Sequence, residues 1–87
     1  MISIEVTKKD FEEADARLAA GERITQANPI CVAIGRQTRF SFAIIGQEIV
    51  LSGHDDIRFP LPHRACIAIR DWEHSGIIAY NFTFDLG

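Results

Sequence analysis

The chain has 87 residues, 47% of them hydrophobic and 24% charged, with a formal net charge of −3. That length supports one domain with one thin core, burying roughly 63% of the extended chain's surface, and the composition excludes a disordered polymer. Asn28 and Pro29 interrupt the longest uncharged stretch, Ile24 to Gly35, so no transmembrane helix is expected.

Ile2, Ile4 and Val6 alternate with Ser3 and Glu5, the period of a half-buried strand. Glu5, followed by Lys8, Lys9 and Asp10, makes the start of the chain a poor secretory signal. Thr7 stands at a helix N-cap position with Asp10 three residues on, a capping-box spacing, and Gly21 stands where the helix should stop. Phe11, Ala14, Leu18 and Ala19 form the apolar stripe of this first helix, which puts Asp10, Glu13 and Arg17 on its wet side.

Asn28-Pro29 predicts a second helix, with Asn as N-cap and Pro in the first turn, where a missing N–H does no harm. It should run through Ile34 to a last turn at Gly35. A helix apolar nearly all round belongs inside the fold.

Phe40–Ile45 and Glu48–Ser52 flank Gly46-Gln47 and read as a hairpin with a two-residue turn. Gly53-His54-Asp55-Asp56 reads as a loop and Ile57–Phe59 as a short third strand, ended by Pro60 and Pro62. A third helix from Pro62 carries Ala65, Ala68, Ile69 and Trp72 at helical spacing and stops at Gly76. Ile77–Leu86 alternates again, with Tyr80, Phe82, Phe84 and Leu86 on one face, and is expected in the interior of the sheet.

The order β-α-α-β-β-(β)-α-β predicts a single α+β domain over residues 1–87. In it, a small, mostly antiparallel sheet packs in two layers against two or three helices. The expected core is Ile2, Ile4, Val6, Phe11, Leu18, Ile30, Ile34, Ile69, Trp72, Phe82 and Phe84.

Few residues could carry chemistry. His54-Asp55-Asp56 sets an imidazole beside two carboxylates, types that bind metals or move protons, but in a Gly-led loop these are ordinary turn residues. His63, Arg70 and His74 lie on one side of the third helix, and the two histidines are about 16 Å apart along its axis, too far to share an ion. A solvated face is the plain account, a partner-facing surface the other.

Cys31 would sit in the first turn of a helix, where the dipole can lower a thiol pKa, yet no base is near in sequence. Both it and Cys66 lie in apolar runs and read as core residues, reduced in a cytosolic setting. With no Cys-x-x-Cys pair, phosphate loop or nucleophile elbow, neither a metal nor another cofactor is called for, and nothing requires an enzyme.

Residues 1–22 hold six acids against three bases, and the remainder balances. The missing basic excess argues against direct nucleic-acid binding. Two charged faces remain for a partner. One is acidic, formed by Asp10, Glu12, Glu13 and Asp15 on the first helix. The alternative gathers Arg36, Arg39, His63, Arg64, Arg70 and His74, which could clamp acidic groups or phosphates if packing brought them together.

Four blocks carry a resemblance: Val6-Thr7-Lys8-Lys9-Asp10; Asn28-Pro29-Ile30-Cys31-Val32-Ala33; Phe59-Pro60-Leu61-Pro62 with Ile69-Arg70-Asp71-Trp72; and Phe82-Thr83-Phe84-Asp85-Leu86. In that order they resemble a group of small phage and prophage proteins with a C-P-I-A-L-A helix start, a Y-P-L-P … I-R-x-F-D segment and a closing F-x-F-E-L. The group has Cys where this chain has Asn28, so no role passes to Cys31. The resemblance implies a mobile element in the cytoplasm of a bacterial host. There, a domain without catalytic motifs is expected to bind a host or phage protein complex, in the sharpest version as an anti-CRISPR-like inhibitor of host defence. A nucleic-acid or nucleotide-binding accessory protein using the arginine face is the alternative, and pairing with a second copy of the chain stays open.

Overall fold

Two small antiparallel sheets and three helices build the chain, seen in a computed structural model that describes residues 2–75 and 81–86. The elements are β1 (Ile2–Val6), α1 (Lys8–Ala19), α2 (Pro29–Thr38), β2 (Phe42–Ile45), β3 (Glu48–Leu51), β4 (His54–Pro60), α3 (His63–Ser75) and β5 (Phe82–Leu86). The expected α+β class is observed, but its sheet is divided. Among the described residues β5 pairs with β1 alone, Ile4 opposite Phe84, while β2, β3 and β4 form a separate meander. The terminal strand is therefore not flanked on both sides, as its apolar ladder had suggested.

Helix α2 joins the parts. Its residues from Pro29 to Ile34 are all buried, and it touches α1, α3, β1 and β2. Its start is built as its sequence implies. The Asn28 side chain accepts the Cys31 N–H at 2.9 Å and donates to the Ile24 and Thr25 carbonyls at 3.0 and 3.1 Å. A buried amide satisfied on both sides fixes the entry of the helix.

At its other end the helix passes Gly35 and adds a turn. Thr38 Oγ1 donates to the Ile34 carbonyl, and Arg39 closes the helix with φ of 66°. A β-branched residue with a local acceptor extended the helix where glycine had suggested a stop.

The hairpin turn at Gly46-Gln47 is present, with Gly46 at φ 62°. The second turn is shorter than expected. Gly53, at φ 85°, reverses the chain directly into β4, so His54, Asp55 and Asp56 belong to the strand and not to a loop. His54 stands opposite Leu51 and Arg58 opposite Val50, so Asp55 and Asp56 fall in the irregularity between these two pairs. The expected stop at Gly76 and the start of the last strand at Ile77–Tyr80 lie outside the described residues.

Ile4, Val6, Phe11, Ile30, Ile34, Trp72, Phe82 and Phe84 are buried as the periodicities predict, whereas Leu18 and Ile69 pack only partly. Ile2 departs from the prediction: it is 51% exposed, because β1 begins at an open end of its two-stranded sheet. Phe82 is only 6% exposed and its ring lies 6.5 Å from that of Phe84. Phe82→Ala should therefore lower the unfolding free energy by about 3–5 kcal/mol. Urea denaturation measures this, and a loss under about 1 kcal/mol would reject the facing of β5.

Candidate functional site

The acidic face is taken apart by tertiary contacts. Asp10 is not on the wet side of α1 but 1% exposed, as the capping box turns its carboxylate inward. The Thr7 N–H and hydroxyl both donate to Oδ2, at 2.9 and 3.2 Å. Arg36 crosses from α2 to donate Nε to Oδ1 at 3.0 Å and Nη2 to Oδ2 at 3.1 Å, a bidentate pair.

Arg36 Nη2 also donates to the Glu5 carbonyl, and Gln37 donates to that oxygen while its own Oε1 accepts the Glu5 N–H. Neighbouring Asp10 raises the Arg36 pKa further above its ordinary value, chiefly through the hydrogen bond.

Asp15 is half-buried and accepts the Trp72 indole N–H at 2.9 Å, tying α3 to α1. Glu13 pairs with Arg17 at 3.1 Å, and Glu12 is exposed. A buried Trp needs an acceptor for its N–H, which was the available signal for Asp15.

The alternative face is dispersed as well. Arg36 is committed to Asp10, and Arg39 caps α2. His63 and Arg64 open a recess with Ile67 at the start of α3. Arg70 lies further along that helix, with its carbonyl oxygen 2.8 Å from His74 Nδ1. His54 and Asp56 are exposed on β4, and among the described residues no cluster of His, Cys, Asp or Glu is placed to hold a metal ion.

The feature that the charges did not announce is an apolar groove of about 380 Å³, where the end of α2 meets the open ends of both sheets. Ile2, Phe40, Phe42, Leu51, Ile57 and Phe59 line it. Among the described residues, six large apolar side chains remain exposed, and three of them, Ile2 (51%), Phe40 (61%) and Ile57 (39%), converge here. Single exposed apolar residues are ordinary, whereas three gathered around one groove form a contiguous apolar patch.

The sequence holds a trace of it. Phe40-Ser41-Phe42 and Ile57-Arg58-Phe59 both alternate with apolar residues on one face, more surface than a ten-residue helix can cover.

No known protein family, curated protein or solved structure matches the chain. Among the described residues no helix is long and apolar enough to cross a membrane.

Two predictions follow from this geometry. Asp10→Ala should cost about 2–3 kcal/mol, since it removes a helix cap and a charged hydrogen-bond pair, whereas Glu12→Ala should stay within about 0.5 kcal/mol. Chemical denaturation of the two variants compares them. Cys31 is buried, and that burial pushes its pKa from 9.0 up to about 11. Above pH 9 the unfolded chain releases this proton while the folded chain keeps it, so stability falls as pH rises from 9 toward 11. The full effect is about 2–3 kcal/mol. It should appear as the difference in pH slope between the native sequence and Cys31→Ala; equal slopes would place the thiol in contact with water.

Proposed function

We propose that this chain is a small non-catalytic protein-binding module whose working surface is the apolar groove between the end of α2 and the two sheets. The observation that carries this reading is the convergence of Ile2, Phe40 and Ile57, all exposed, on one concavity floored by Phe42 and Phe59. An apolar concavity of this kind takes the side chains of a partner segment, and aromatic residues are favoured at such contacts.

The charged faces give less support. Asp10 and Asp15 serve the fold, Glu13 is paired with Arg17, and Arg36 is committed to Asp10. Burial pushes the Cys31 pKa up, which argues against that thiol as a nucleophile. The two free cysteines, one buried and one half-buried, suit a reducing cytosol. With the likeness to phage proteins, the finer form of the proposal is an inhibitor that occupies a surface of a host defence complex, as an anti-CRISPR protein does.

Immobilised native chain, a Phe40→Ser/Ile57→Ser variant and a Glu12→Lys/Glu13→Lys variant should be compared in affinity capture from bacterial lysate. The altered residues are exposed, so all three should melt within a few degrees of one another. Proteins retained by the native chain should be lost on the groove variant and kept on the acidic-face variant. The reverse pattern, or equal capture by all three, overturns the groove as the working surface.

A further inference from the structure

We infer that the segment received by this groove is acidic as well as apolar: its apolar side chains enter the groove while a carboxylate reaches Arg39 next to it. This rests on the groove reading above and names the chemistry of the partner.

Phe40 and Phe42 line the groove and also a second cleft, of about 400 Å³. That cleft is lined by Arg17, Arg39, Glu22, Gln26, Ser41 and Ser52, two guanidinium groups and one carboxylate with neutral hydrogen-bonding groups between them. Arg17 shares its charge with Glu13 at 3.1 Å. Arg39 has no ion pair among the described residues. A segment lying across Phe40 would thus pass from apolar surface to a guanidinium that can hold a carboxylate in bidentate fashion.

The backbone at Arg39 points the same way. It is the only non-glycine residue with positive φ among the described residues, at 66°, and it occupies a helix-capping position where glycine or asparagine is usual. Strain of this kind persists where the side chain is needed. A cation at a helix C-terminus also complements the dipole, but lysine would serve that purpose equally well. Arg39→Lys therefore separates charge from the planar fork.

The test is selection of a randomised twelve-residue peptide library, displayed on yeast, against the immobilised chain. Selected peptides should carry Asp or Glu beside a run of Leu, Ile, Phe or Trp. Their affinity should fall about tenfold or more on Arg39→Gly, recover only in part with Arg39→Lys, and vanish on Phe40→Ser. Arg39→Gly should melt at the native temperature or above it, because glycine takes positive φ freely, so lost binding would not be lost folding.

Apolar peptides without an acid, or affinity unchanged by Arg39→Gly yet removed by Phe40→Ser, would overturn the acidic partner and leave the groove standing. No enrichment at all would overturn both. Competition by succinate as effective as the unlabelled peptide would make this a small-anion cleft and overturn the inference. So would a dimer in sedimentation analysis that Phe40→Ser disperses, since the occupant would then be a second copy.

Discussion

The Asp10 carboxylate ties the start of α1 to Arg36 of α2, 26 residues further along the chain. A buried carboxylate is tolerated only when its oxygens are fully engaged, and here Thr7 supplies two donors from the start of α1 and Arg36 two more from α2. The same guanidinium reaches the Glu5 carbonyl, and Gln37 grips the Glu5 backbone from both sides. Among the described residues β1 has only β5 as a strand neighbour, and two side chains of α2 bond to the Glu5 backbone along its other edge. With β1 and α1 clamped to it, α2 is fixed as the central element, and the buried run from Pro29 to Ile34 can serve both sheets.

Local signals were legible in the sequence because local physics decides them. Asn28-Pro29 opens a helix whatever surrounds it, Gly46-Gln47 turns a hairpin, and the alternation of Phe82, Phe84 and Leu86 faces the core. What was not legible depended on distant partners. Asp10 stands four residues before Ala14, at the border of the buried stripe, but only an arginine 26 residues later makes its burial tolerable. Asp15 likewise reads as a surface acid until Trp72, 57 residues on, needs an acceptor. His54-Asp55-Asp56 has the composition of a turn, yet it lies in β4, where His54 faces Leu51 across a bulged register. Charge patterning therefore did not separate Asp10, Asp15 and Arg36, which serve the fold, from the charges that stay on the surface.

The groove arises from a shortage of helical cover. α2 stops at Thr38, while the meander and the end of β1 continue beyond it, so Phe40, Ile57 and Ile2 extend past the surface that the helix can bury. Burying a side chain of this size contributes about 1.5–3 kcal/mol. Ile2, Phe40 and Ile57 are about half exposed, so each forgoes about half of that contribution.

Exposed apolar surface beside an open strand also invites indiscriminate pairing, and the strand bordering the groove is built against it. β4 is the last strand of its sheet; it carries exposed Asp56 and Arg58, the latter bridged to Glu48 at 3.0 Å, and ends at Pro60. Charges and proline along a free edge oppose the addition of another strand. The main-chain route to association is thus discouraged while the side-chain route through Ile57 and Phe59 stays open. Recognition through shape and side-chain chemistry is selective in a way that strand addition is not, because main-chain hydrogen bonds are common to every sequence. On the proposed reading, a guarded edge beside an open groove would separate a specific contact from aggregation.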